Sequence, residues 1–251
     1  MRRFIRVSAV LVLLGLGIYG YHRKKDPKPR VKVPVTRYHG YELNRLAINR
    51  AKAFTVLISN ESFGGVGRGT GLLIDPTHVL TCAHMVQGPQ DDLWIFPYPV
   101  GVVVKGRPMF VDKSVDLAIL ELDKTVILSH YATFQEAHYD GEPITIIGNI
   151  LGSMKWFISF GIISGDYQNF LLTDGLIKGG NSGGCWINEK GEVIAVTDWG
   201  LEKDSQDLGI SGGISAKTVH TFLKEYKSSS VEMLLQMILG RQRLGKVRSG
   251  V

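Results

Sequence analysis

A histidine, an aspartate and a serine stand in that order at three points of the chain where an apolar run meets a turn. His84 closes the run Gly69-Thr70-Gly71-Leu72-Leu73-Ile74-Asp75-Pro76-Thr77-His78-Val79-Leu80-Thr81-Cys82-Ala83-His84. Asp116 opens Asp116-Leu117-Ala118-Ile119-Leu120, and Ser182 sits in Gly180-Asn181-Ser182-Gly183-Gly184. These three types are what acyl transfer needs. A serine hydroxyl is a weak nucleophile until an adjacent base takes its proton. Imidazole titrates near neutrality, so His84 can take that proton and return it to a leaving amine. A carboxylate on the other ring nitrogen, Asp116, holds the tautomer and stabilises the imidazolium. Asp112, four residues earlier, is the rival carboxylate; the apolar run directly after Asp116 favours Asp116. Glycines around Ser182 leave the N–H groups of Gly180 and Ser182 open to converge on a developing oxyanion.

Short strands must position these residues. Apolar segments 55–59, 70–74, 79–81, 93–96, 102–104, 109–111, 117–121, 144–147, 156–163, 170–173, 185–187, 193–197 and 212–215 recur between turn signals such as Asp75-Pro76 and Asn188-Glu189-Lys190-Gly191. That spacing predicts an all-β sandwich or barrel, and about a dozen strands suit two small barrels better than one. Thirty glycines among 251 residues fit many tight turns. Helices are expected over 43–54 and 216–226, with a further amphipathic one starting at Ser230 as N-cap.

The net charge of +6 is unevenly spread. Residues 1–37 hold 10 basic residues against 1 acid, and residues 227–251 hold 5 against 1. The body between them carries 14 basic and 21 acidic residues. An anionic partner therefore belongs to the ends. The acidic body, with no stacking or groove-reading motif, argues against nucleic acid. Val7 to Tyr21 is an apolar run with basic residues on both sides, and as a helix it spans roughly 22 Å of a ~30 Å hydrocarbon core. Phe4 and Ile5 bring it near the lower limit for spanning. A membrane anchor over residues 1–21 is preferred to a cleaved signal, because the position after Gly20 makes a poor cleavage site. Residues 22–47 read as a basic, Pro-containing linker, 48–226 as the folded domain and 227–251 as a basic tail. The tail either packs on the barrel or lies on an anionic membrane.

Thr81-Cys82-Ala83-His84, Asp116-Leu117-Ala118-Ile119-Leu120 and Gly180-Asn181-Ser182-Gly183-Gly184 resemble the trypsin-like serine peptidases of the chymotrypsin fold. Thr173-Asp174, Ile177 and Gly212-Gly213-Ile214-Ser215 before a helix bring the likeness nearest to the HtrA-type branch. The resemblance spans residues 50–226. It implies two six-stranded antiparallel β-barrels with a C-terminal helix and a His84–Asp116–Ser182 triad at their junction. By the same analogy Leu176 lines the base of the primary specificity pocket and Gly213 its wall. Trp199-Gly200 belongs to the segment that pairs with substrate backbone. An apolar base implies cleavage after small or medium apolar residues. Asn181 stands where trypsin-type zymogens carry an aspartate, so activation through a new N-terminus is not expected. About 25 residues follow the last helix, so the PDZ domain that many HtrA-type members carry is not expected.

The implied partner is a polypeptide substrate, with the membrane as a second partner and homo-oligomers known in the resembling family. No metal and no organic cofactor is needed by this chemistry. The rival from another class is a peptide-binding, chaperone-like module on the same fold with weak or no hydrolysis. Cys82 and Cys185 are expected as buried free thiols, and His78, His130, His138 and His220 as surface or structural residues. The side of the membrane is left in conflict: flanking charge points to the cytoplasm and the family resemblance away from it.

Overall fold

The computed structural model describes residues 36–38, 41–43, 45–60, 69–86, 93–97, 101–150, 156–203 and 206–231. A short ribbon comes first, β1 (Thr36–Tyr38) paired antiparallel with β2 (Tyr41–Leu43). The first helix, α1 (Arg45–Phe54), buries Ala47, Ile48, Ala51 and Phe54 along one stripe. The helix expected over 43–54 thus starts later, because the β-favouring residues before it pair with β1. The Thr55 hydroxyl donates to the Ala51 carbonyl at 2.7 Å and the Trp156 indole N–H to the Lys52 carbonyl at 3.0 Å, satisfying carbonyls at the helix end.

The first barrel holds β3 (Thr55–Ser59), β4 (Gly69–Asp75), β5 (His78–Cys82), β6 (Leu93–Pro97), β7 (Val104–Asp112) and β8 (Leu117–Leu122). It closes in the order β3-β4-β5-β8-β7-β6. The second holds β9 (Pro143–Asn149), β10 (Trp156–Tyr167), β11 (Phe170–Thr173), β12 (Cys185–Ile187), β13 (Val193–Lys203) and β14 (Gln206–Ser215). Its order is β10-β11-β14-β13-β12-β9, also closed. All pairings are antiparallel, as expected of two six-stranded barrels. Of the expected segment 102–104 only Val104 is in a strand, and that strand, β7, runs on through 109–111. Gly106 stays in the ladder because it faces Ile95 at close range, and the ladder shifts register just after Pro108, which has no N–H to give.

Val56, Ile58, Leu72, Leu80, Ile95 and Ile119 fill the first barrel, and Trp186, Ile146, Ile163, Leu171 and Ile194 the second. The second helix, α2 (residues 216–231), follows β14. Ser215 caps it by accepting the Thr218 N–H. It reaches back to the first barrel: the rings of Phe222 and Tyr226 lie 5.2 and 5.8 Å from that of Phe110, and the Tyr226 hydroxyl bonds His78 Nε2 at 3.1 Å. One helix therefore straps the two barrels together. Ser230 is no N-cap. It lies within α2, and its hydroxyl donates to the Tyr226 carbonyl four residues back. Among the described residues no helix is long and apolar enough to cross a membrane. The anchor expected over residues 1–21 lies outside them, as does the tail beyond 231.

Candidate active site

β5 runs into a tight 3-10 turn, Ala83–Val86, which carries His84 out of the first barrel. The turn before β8 supplies Asp116, whose φ of 55° lies in the left-handed region. That backbone lets one residue hold His84 twice and the neighbouring Ala83 once. The Asp116 carbonyl accepts the Ala83 N–H at 3.0 Å, Oδ1 accepts the His84 N–H at 2.8 Å, and Oδ2 meets His84 Nδ1 at 2.6 Å. The hydrogen bond that His84 makes to Asp116 raises the pKa of His84 above its ordinary 6.5, against the opposing effect of burial. Burial works upward on Asp116 too, but the hydrogen bonds and charge of His84 outweigh it and hold the carboxyl below its usual range. Asp112 is elsewhere engaged: its Oδ1 accepts the N–H and hydroxyl of Ser114.

The second barrel brings Ser182, on the loop between β11 and β12. Two residues of β4 and β5 hold this loop from the first barrel. The Thr70 N–H donates to the Ser182 carbonyl at 2.9 Å, and its hydroxyl to the Gly180 carbonyl at 2.8 Å. Thr81 donates to the Thr70 carbonyl at 2.7 Å. Gly183, at φ 82°, has no space for a side chain, because a Cβ there would overlap the Thr70 carbonyl oxygen. Gly180, at φ 97°, is the other left-handed glycine of the motif. With the carbonyls of Gly180 and Ser182 so held, neither of their N–H groups has a partner among the described residues. The Ser182 hydroxyl donates to the main-chain carbonyl of Asp198 at 3.1 Å.

Asp198 had no role in the reading of the sequence, although it precedes Trp199-Gly200 in a segment that drew attention. Its Oδ1 lies 3.8 Å from His84 Nδ1, and its side chain is 11% exposed. Burial first, then the charge of Asp116, push its pKa up to about 7. An acid standing directly after the apolar run Val193–Val196 and Thr197, and before Trp199, was the available signal. Thr70 was passed over as well, hidden between two glycines.

The residues assigned to substrate binding are less tightly gathered. Gly200 is exposed and lies near the Ile177 carbonyl and the Ser211 hydroxyl, which itself donates to the Gly175 carbonyl at 3.1 Å. Segment 175–177 thus adjoins Gly200, and the Leu176 side chain between is 42% exposed. Trp199 stacks edge-on to Phe170 at 5.9 Å and covers Gly212, where a Cβ would overlap its ring. Gly213 is buried on the Trp186 indole, which leaves 2.8 Å for a Cβ.

Cys82 and Cys185 are both free and buried. Cys82 donates to the Thr197 carbonyl at 3.3 Å, and Cys185 lies 3.6 Å from the Thr55 hydroxyl. Burial pushes the Cys82 thiol well above 9 and Cys185 up to about 12, so neither supplies a thiolate. One ligand-capable atom each from Cys82, His84, Asp116 and Asp198 lies within 4.8 Å of the others. That is a conceivable donor set for a transition metal, but the imidazole, the Asp116 carboxylate and the thiol are already hydrogen-bonded.

Known proteins agree with this architecture. Residues 69–196 match the model of the trypsin-like peptidase domain. The chain is 27% identical over 207 residues to a Haemophilus influenzae protein described as "Probable periplasmic serine protease do/HhoA-like", covering 77% of this chain and 40% of that protein. It is 26% identical to the "Serine protease Do-like HtrA" of Lactobacillus helveticus, covering 62% of this chain and 40% of that one. With the "Serine endoprotease DegS" of Haemophilus influenzae it shares 25% identity, over 64% of this chain and 49% of the relative. The chain spans less than half the length of these relatives. The domain match takes in half of the chain and runs from the strand that holds Ser182 in place to the strand that carries Asp198, so the chain belongs to the trypsin-like peptidase family.

Proposed function

We propose that the protein is a serine endopeptidase in which His84 is the general base, Asp116 its orienting carboxylate and Ser182 the nucleophile. The observation that carries this reading is the hold of Asp116 on His84: one carboxylate takes both the main-chain N–H and the ring nitrogen, at 2.8 and 2.6 Å. Such a hold leaves Nε2 as the ring's free base. The Ser182 hydroxyl rests on the Asp198 carbonyl at 3.1 Å and in this reading exchanges that acceptor for His84 Nε2 when substrate binds, since catalytic hydrogen bonds of this kind tighten in the complex.

The chemistry then follows from the groups present. His84 takes the hydroxyl proton as Ser182 Oγ bonds the scissile carbonyl carbon. The carbonyl electron pair moves onto oxygen, and the N–H groups of Gly180 and Ser182 receive it. Collapse of the tetrahedral species breaks the C–N bond, and His84 gives its proton to the departing amine. Water then attacks the acyl-enzyme by the same route, releasing the acid and restoring Ser182. An extended polypeptide lies along Asp198–Gly200 as an added strand. Small or medium apolar residues enter beside Leu176, where the segment offers no carboxylate to a basic side chain. In this reading residues 1–21 tether the domain to a membrane. Protease accessibility of the domain in sealed vesicles assigns its side.

A fluorophosphonate probe labels the intact protein, and Ser182→Ala abolishes both labelling and cleavage of casein. A native chain that the probe leaves unlabelled, or a Ser182→Ala variant that still cleaves, overturns the assignment. Casein binding without turnover by the native chain supports the peptide-binding module instead.

A further inference from the structure

In the mechanism above Asp198 contributes only its main-chain carbonyl, yet its side chain is built into the site. β13 bulges at this residue: Thr197 pairs with Gly213 and Trp199 with Gly212, which leaves Asp198 as the extra residue between them. A bulge re-aims the side chain it carries. Here the carboxyl turns inward, with an oxygen within 4.8 Å of one of Asp116 and 3.8 Å from His84 Nδ1, while the carbonyl of the same residue accepts the Ser182 hydroxyl at 3.1 Å. One bulged residue thus adjoins the base, its orienting carboxylate and the nucleophile.

Two carboxyl groups this close do not both ionise readily; one tends to keep a proton, which it can donate to the other. Asp116 already accepts from the His84 main chain and ring, which favours its ionised form. Asp198 accepts no backbone N–H among the described residues, so the proton belongs there. We propose that Asp198 is a positioning residue of the triad, its protonated carboxyl donating the hydrogen bond that fixes the Asp116 carboxylate against His84, and that loss of this proton releases the hold.

The titratable groups facing Asp198 are His84 from the turn after β5, Asp116 from the turn before β8, and Cys82 from β5. Cys82 keeps its proton, so the switch is shared among the other three, which titrate as a coupled set. With the Asp198 pKa up at about 7, the change falls in the neutral range. Ionised Asp198 no longer donates, and its charge makes His84 hold a proton more tightly. Both effects reduce the free base.

This inference rests on Ser182 being the nucleophile, and its test reads that nucleophile directly. The rate of fluorophosphonate labelling of the full chain is measured from about pH 5 to about pH 9. The native rate is expected to rise as His84 loses its proton and to fall again above neutrality. Asp198→Ala, which loses the donor, slows labelling about tenfold or more. Asp198→Asn keeps an N–H donor of the same shape and cannot ionise. It is expected to recover most of the rate lost in Asp198→Ala, to shift the acid limb to lower pH and to abolish the alkaline fall. Superimposable profiles for Asp198→Asn and the native chain, or native labelling rates in Asp198→Ala, overturn the proposal. A native chain that does not label at all overturns the nucleophile assignment, and this proposal with it.

Discussion

Thr70 of the first barrel holds Ser182 of the second: its N–H donates to the Ser182 carbonyl at 2.9 Å, and its hydroxyl reaches the Gly180 carbonyl at 2.8 Å. The peptide units that follow Gly180 and Ser182 are thereby pinned from across the barrel junction, and each adjoins one of the two N–H groups that would face an oxyanion. Thr70→Val keeps the main-chain bond and the shape but loses the hydroxyl. It leaves a buried Asn149 N–H short of its acceptor as well. We expect kcat for casein-derived peptides to fall about 10- to 100-fold with KM little changed, since misplaced donors act on the transition state. Thr70→Ser restores the rate. A loss confined to KM would place Thr70 in substrate binding instead.

The acid limb of activity reports His84. Its pKa is raised from 6.5, chiefly by its hydrogen bond to Asp116, and in the proposed mechanism only the neutral imidazole accepts the Ser182 proton. Activity is therefore lost as pH falls through a midpoint above 6.5. Asp116→Asn removes the charge and leaves the ring free to take the wrong tautomer. The midpoint should drop, and kcat should fall about 10⁴-fold. Asn tolerates the left-handed backbone at this position, so the variant remains folded. Circular dichroism checks the fold, and kcat/KM against pH checks the shift.

The strands were legible because short apolar runs alternate with turn residues, and His84, Asp116 and Ser182 because each lies where such a run meets a turn. Gly106 and Pro108 hid the continuity of β7, since local breaker signals cannot foresee that Ile95 packs on one and a register shift absorbs the other. Asp198 and Thr70 were not legible for a related reason. Their importance arises from a bulge and from a bond between barrels, and neither leaves a periodic trace in the chain. Even Asp116 showed only its type and place; its φ of 55°, which lets it serve both His84 and Ala83, is a tertiary fact.

Gly183 is the glycine that packing most plainly requires. A Cβ there would overlap the Thr70 carbonyl oxygen and come within 2.5 Å of the Thr81 hydroxyl, at a φ of 82°. Gly183→Ala is expected to cost about 3 kcal/mol or more, the sum of a left-handed backbone and overpacking against main chain. Gly141, at φ 83°, has nothing within 4 Å of its Cβ position. Gly141→Ala isolates the backbone contribution and should cost only about 1 kcal/mol. Urea unfolding of the two variants separates them; equal losses would mean that the crowding at Gly183 relaxes freely.

The two thiols should behave as core atoms. Cys82 hangs on the Thr197 carbonyl and Cys185 on the Thr55 hydroxyl, on different strands and with different partners, and burial keeps both protonated. An aromatic disulfide reagent at neutral pH should react with neither until urea unfolds the chain, when both become available together. Because the thiolate is the reacting species, raising the pH to about 9 should not speed the native reaction appreciably. Fast modification of the native protein at Cys82 would mean that the Thr197 carbonyl releases the thiol toward His84. Labelling by fluorophosphonate should then decline in step, since the Cys82 sulfur lies within 4.8 Å of the imidazole proposed to activate Ser182.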